Sequence, residues 1–284
     1  MPIFLLEETN METNPLKQYF RRPAVYVKLP SEGKDYEEGI IDMPPNGEIP
    51  IYPMTAIDEI TARTPDALFN GVAVVELIKS CVPNINDPWA ISSNDLDAIL
   101  IAIKAAGGTD SLEIESTCPK CKESSIYGIN LVGILSTLQA GDYSKTLDIG
   151  DLKFKFKPLR YKDMNDAALA QFDVQRMFKS LNSIEDEDQR SATSQETLKK
   201  VTLITMEIIA KAIDHIETPN GTVSDYEYIV DFMKNCDKNI YGMIRDFNTE
   251  IKQKTQLKPL QVKCIHCENE YEQAFTINPS DFFA

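Results

Sequence analysis

Apolar residues along this chain change period several times, and each change marks an element. Residues 24–29 (Ala-Val-Tyr-Val-Lys-Leu) read as a strand stopped by Pro30. From 32 to 53 the chain is rich in Gly, Pro and acids, and Pro44, Pro45, Pro50 and Pro53 keep it extended. Thr64-Pro65-Asp66 is a helix-start signal, and Val74, Leu77, Ile78 and Cys81 then repeat at helical spacing. Ser92 or Ser93 caps a further helix with Leu96, Ile99, Leu100 and Ile103 on one face, and Gly107-Gly108 ends it. Residues 112–116 and 125–129 alternate as strands, as do 152–157.

The second half reads as mainly helical. Val174, Met177, Phe178 and Leu181 form one stripe, and 185–194 is an acidic, polar stretch expected to be a loop. Residues 195–216 are apolar almost all round, at Leu203, Ile204, Met206, Ile208, Ile209 and Ile213, which predicts a central buried helix. Pro219-Asn220-Gly221 is a turn. Ser224 opens a helix bearing Tyr226, Ile229, Val230 and Met233, and Ile240, Ile244, Phe247 and Ile251 continue the stripe. Residues 260–262 and 271–275 return to β structure. The expected fold class is therefore α+β: mainly helical, with a small N-terminal β segment and a split zinc ribbon built from two Cys-x-x-Cys hairpins. The expected organisation is a flexible arm at 1–22, an α+β module at 23–157, a helical insertion at 158–260, and a second knuckle with the C-terminal tail at 261–284.

The hairpin expectation rests on six cysteines, four of them in two distant pairs. Cys118-Pro119-Lys120-Cys121 and Cys264-Ile265-His266-Cys267 each offer two sulfurs from a tight turn, whose backbone N–H groups favour the thiolates. Together they match the ligand count of a closed tetrahedral site, so one structural zinc ion per chain is expected on Cys118, Cys121, Cys264 and Cys267. Such a site leaves no open position for catalysis. Lys120, Lys122 and Lys263 would offset part of its negative charge. A pair of redox dithiols, or two sites completed by other chains, remain as alternatives, although a redox Cys-x-x-Cys normally opens a helix in a βαβ unit. Zinc ribbons often place glycine after the second cysteine; here Lys122 and Glu268 stand there. Cys81 and Cys236 lie alone on helical patterns and read as buried thiols.

Charge and missing motifs narrow the function. The chain has 284 residues, 43% hydrophobic and 26% charged, with a net charge of −15. That charge opposes binding to nucleic acid or to an anionic membrane. No apolar run is long enough to span a bilayer, and the N-terminus lacks the pattern of a signal peptide. No phosphate-cradling G-x-x-x-x-G-K-[ST], H-E-x-x-H or G-x-S-x-G motif occurs. The two histidines are His215, expected at a helix end, and His266, inside the second knuckle, and the acids at 185–188 form one solvated run. No enzyme is expected.

Several strings are specific enough to carry a resemblance. They are Tyr19-Phe20-Arg21-Arg22-Pro23 with the strand that follows it, Tyr52-Pro53-Met54-Thr55-Ala56-Ile57-Asp58-Glu59-Ile60, Arg63-Thr64-Pro65-Asp66-Ala67-Leu68-Phe69-Asn70-Gly71, Ser80-Cys81-Val82-Pro83-Asn84-Ile85 and Pro88-Trp89. In these the chain resembles the baseplate hub assembly proteins of T-even-type contractile-tailed bacteriophages, best over residues 15–130. The resemblance implies a late viral protein, made in the host cytoplasm, that helps build the central baseplate hub as a virion component or an assembly factor. It implies other baseplate hub proteins as partners, leaves room for a homo-oligomer, and carries no catalytic residue across. Expected partners include no nucleic acid, and no membrane insertion is expected. Two other readings compete. One is a zinc-ribbon adaptor binding nucleic acid or host transcription machinery; the other is a thiol redox enzyme.

Overall fold

A computed structural model describes residues 14–277 except 35, 65–69, 109–110, 182–185, 256 and 276. The fold is α+β, and its apolar side chains gather into two cores. The first forms around α3 (Ser93–Ala106), whose apolar residues are buried on every side. Ser92 caps α3 by accepting a hydrogen bond from the Asp95 N–H. Around it lie β1 (Val25–Val27) antiparallel to β2 (Ile49–Ile51), α1 (Ala56–Ala62), α2 (Val72–Cys81) and α4 (Leu131–Leu135). The alternation that predicts β1 is present. Its partner β2 lies in the proline-rich segment, where Pro50 sits opposite Tyr26. A proline is tolerated there because this two-stranded pair is all edge.

The second core holds a four-stranded antiparallel sheet, β5 (Thr146–Ile149), β6 (Leu152–Phe156), β7 (Ile213–Thr218) and β8 (Gly221–Val223), in that order. β5 and β6, on the N-terminal side of the expected 157/158 boundary, thus join β7 on its far side. Helices α7 (Tyr226–Asn235) and α8 (Lys238–Thr255) cover the sheet, with Phe154 against Phe232 at 5.8 Å and Phe156 against Phe247 at 5.2 Å between ring centroids.

Between β6 and β7 runs a long helical pair, α5 (Tyr161–Leu181) and α6 (Glu187–Lys211). Here the structure corrects three expectations. The helix expected at 195–216 ends at Lys211, because Ile213 and Ile216 gain burial as strand residues opposite Phe156 and Phe154. Nor is it a central buried helix: within α6 only Thr197, Ile209 and Ala210 are buried, and α3 holds the central place. The acidic stretch expected as a loop is helical from Glu187. Asp186 caps that end, and Glu187 and Asp188 complement the positive end of the helix dipole.

His215 accordingly lies in β7, with Nδ1 2.8 Å from an Asp214 oxygen, rather than at a helix end. The last two helices are separate, and Asp225 caps α7 where Ser224 was expected to start it. The helix start expected at Thr64-Pro65-Asp66 falls largely outside the described residues. The stripe expected to follow it, Val74, Leu77, Ile78 and Cys81, is buried on α2, described from Val72, and α1 before it opens on a Thr55–Asp58 capping box.

Two polar knots fix the first core. The Arg21 guanidinium donates to Pro53 O at 2.6 Å, Ser80 O at 2.7 Å, Ser80 Oγ at 2.7 Å and Asp58 Oδ2 at 3.2 Å. Burial pushes the Asp58 carboxyl up, but bonds from Thr55 and Ser80 and the Arg21 charge outweigh it and hold the carboxyl below the usual range. Asp95, fully buried, accepts from the Ser31 N–H at 2.9 Å, from Ser31 Oγ and from Tyr36 Oη. Burial and the Asp95 charge push the Tyr36 hydroxyl well above the usual phenol range. These knots tie the segment before α1, and Ser31 and Tyr36, to the helices. Among the described residues no helix is long and apolar enough to cross a membrane.

Candidate metal centre

β3 (Ser111–Thr117) pairs antiparallel with β4 (Ser124–Asn130), and β9 (Leu260–Lys263) with β10 (Glu270–Gln273). Cys118 and Cys121 lie in the first connection, Cys264 and Cys267 in the second. The two turns are built alike. In the first, Cys118 N–H donates to Glu123 O and Lys122 N–H to Cys118 O; in the second, Cys264 N–H donates to Asn269 O and Glu268 N–H to Cys264 O, all at 2.9 Å. Each turn closes through a residue with positive φ, Lys122 at 66° and Glu268 at 56°. The sequence placed lysine and glutamate where glycine is common, and the backbone still adopts the conformation that glycine favours.

The pairs are joined side by side. Ser116 Oγ lies 2.8 Å from Tyr271 Oη and donates to Gln273 Oε1 at 2.6 Å, linking β3 to β10. This brings all four sulfurs within 4.8 Å of one another, across some 140 residues of sequence. Cys118 Sγ lies 3.7 Å from Cys267 Sγ, and Cys121 Sγ 3.6 Å from Cys264 Sγ. A tetrahedron with metal–sulfur bonds of about 2.3 Å has edges of about 3.8 Å, so the donor set fits one ion. A disulfide needs about 2.05 Å and is not formed. Cys118 and Cys264 are buried, while Cys121 and Cys267 are partly open.

Electrostatics ask for a cation. The Cys121 N–H, joined by that of Lys120 and by neighbouring thiols, pulls the Cys118 thiol down to about 6. At Cys121 the Glu123 N–H favours the thiolate, but the other three sulfurs outweigh it and push that thiol up to about 12. The first thiolate forms readily and the next resists, because the negative charges crowd together. A divalent ion removes that obstacle and lets all four sulfurs ligate.

All four cysteines expected from the sequence are thus brought together. His266 is exposed and stands outside the cluster. Cys81 is buried beside the Arg21 knot, where burial pushes its thiol up to about 11, and Cys236 is half-buried with its Sγ on Met233 O. Of the lysines expected to balance the site, Lys263 Nζ lies 3.9 Å from Glu268. The arrangement offers neither an open metal position nor a helix N-terminus at either Cys-x-x-Cys. What it can do is join β3–β4 to β9–β10, closing the chain between them into a loop.

A family model described as T4 bacteriophage base plate protein matches residues 24–284. No curated protein matches the chain, and no solved structure does.

Proposed function

The chain belongs to the T4 bacteriophage base plate protein family, and from that premise we propose that it is a non-enzymatic tail protein that helps assemble the central baseplate hub. In this reading the two Cys-x-x-Cys pairs form a split zinc ribbon, and one Zn²⁺ sits on Cys118, Cys121, Cys264 and Cys267. The metal acts as a clamp. It fastens the base of the insertion that carries the second core, so that the whole chain behaves as one rigid part. Other hub proteins are the partners, host cytoplasm is the place of assembly, and the tail baseplate is the destination.

The observation that carries this reading is the sulfur cluster within a chain matched almost end to end by a baseplate family. Four-sulfur ligation suits a structural ion rather than a catalytic one. The net charge of −15 opposes the nucleic-acid adaptor. The test is affinity capture of the tagged chain from phage-infected cells. Recovery of baseplate hub proteins supports the proposal. A chain that captures no tail protein, and is absent from both assembly intermediates and virions, would overturn it.

A further inference from the structure

A trough of about 690 Å³ opens where the two cores meet, within the size range of ligand pockets, about 300–1,000 Å³. Residues 30–34, just after Leu29 of the first core, form one wall. Residues 155–158 at the end of β6 and Asp214 of β7, from the second core, form another, and 140–144 and Arg160 complete it. These walls are set by contacts already in place. The Arg160 guanidinium donates to Ala90 O at 2.9 Å and lies 5.2 Å from the centroid of the Tyr36 ring. Tyr36 and Ser31 both hang from Asp95. In the 140–144 stretch Gly141 is packed so closely that a Cβ would lie 2.5 Å from Tyr143 and 2.8 Å from Thr255 of α8.

Charge in the trough runs against that of the molecule. A chain of net charge −15 places Lys34, Lys155, Lys157 and Arg160 there against Glu32, Asp142 and Asp214. The acids are engaged: Glu32 with Lys34, Asp142 with the Ser144 N–H at 3.2 Å and Lys145 at 3.6 Å, and Asp214 with Lys157 at 3.6 Å and His215 at 2.8 Å. Among the described residues Lys155 faces no carboxylate. Thr146 and His215 stand across the sheet from it, and its Nζ donates to Ser144 O at 2.8 Å. We propose that the trough binds an extended acidic segment of a partner protein. Lys155 and Lys157 leave the same side of the strand, with Phe156 buried on the other, and stand about 7 Å apart. That is also the spacing of alternate side chains in an extended chain, so carboxylates two residues apart meet both lysines. The Lys157–Asp214 pair is half exposed, so exchanging Asp214 for a ligand carboxylate costs little. A nucleic acid would bring a charge on every residue against the acidic surroundings, whereas a peptide carries its carboxylates only where the lysines are. The inference does not use the baseplate reading, and either can fail alone.

Fluorescence anisotropy on the full chain as purified tests this, with a labelled peptide of alternating glutamate and alanine as the probe. Saturable one-to-one binding that weakens as salt rises is expected. Lys155→Gln and Lys157→Gln should each weaken it about threefold or more, and together about tenfold or more. Lys157 is the more exposed, so its variant keeps the test valid if Lys155→Gln loosens the 140–144 stretch. Lys153→Gln lies on the same side of β6 but outside the trough, and should change binding by less than about twofold. No binding of the peptide overturns the proposal, as does equal binding of a glutamine–alanine peptide. So does equal weakening by Lys153→Gln, or displacement of the peptide by equimolar inorganic phosphate or single-stranded DNA.

Discussion

Lys122 and Glu268 hold the same place in two turns separated by most of the chain's second half: each follows the second cysteine of a Cys-x-x-Cys pair and each has positive φ, 66° and 56°. An L-residue pays for that conformation in strain that glycine avoids. Lys122→Gly and Glu268→Gly should therefore be neutral to stabilising by up to about 1 kcal/mol each, despite the greater freedom glycine gives the unfolded chain. Thermal melts of the metal-loaded protein read this. A clear loss of stability in both variants would mean that the side chains, not the turns, are what matters there.

Arg21 should be worth more than its position near the N-terminus suggests. It fills four acceptors on three segments and offsets the Asp58 charge. Arg21→Ala leaves Asp58 without its cation and two carbonyl groups without their donor, at a cost of about 2–4 kcal/mol. Urea unfolding measures the loss. Hydrogen exchange should place it in α1, α2 and the β1–β2 pair, with the second core unchanged; a loss spread evenly over both cores would contradict the assignment.

Burial pushes the Asp97 carboxyl up from 3.8 to about 7. A folded value above the unfolded one means the folded chain binds the extra proton. Its stabilising contribution is complete below the unfolded value and is lost as pH rises through about 7. Asp97→Asn should thus raise stability at mildly alkaline pH and remove part of the decline between mildly acidic and neutral pH. Urea midpoints across that range test it; an unchanged slope refutes it.

Gly71 has φ of 73°, and a Cβ there would lie 2.5 Å from Asn165 Oδ1 and 2.9 Å from Tyr161 Oη. Tyr161 in turn stacks on Trp89 at 5.2 Å. Gly71→Ala should destabilise by about 1–3 kcal/mol, combining backbone strain with the clash. Equal melting of variant and parent would show that α5 yields there at no cost.

These four sites also show what the sequence could and could not convey. Regular elements with one dominant environment were legible: α3 through its cap and apolar spacing, β3, β4 and β6 through alternation, and the four cysteines through their spacing. Local signals failed where tertiary pairing decided. Ile213 and Ile216 continue a helical stripe on paper, yet Phe156 and Phe154 across the sheet make them strand. Acids at 186–188 look like a solvated loop until the first turn of α6 uses them. The apolar circumference read over 195–216 says that a face is sticky, not whether the chain itself covers it. Arg21, Ser80 and Asp58 belong to one knot that no local pattern unites.

On the proposed reading, a single metal clamp closes the chain between β4 and β9. Elemental analysis of the protein purified without chelator tests it most directly, in parallel on the parent chain and on Cys121→Ser, Cys264→Ser and Cys81→Ser. One zinc ion per parent chain is expected, with loss of that zinc and marked destabilisation in Cys121→Ser and Cys264→Ser, and full zinc content in Cys81→Ser. A parent chain without metal, two ions per chain, or equal melting of all three variants would contradict it.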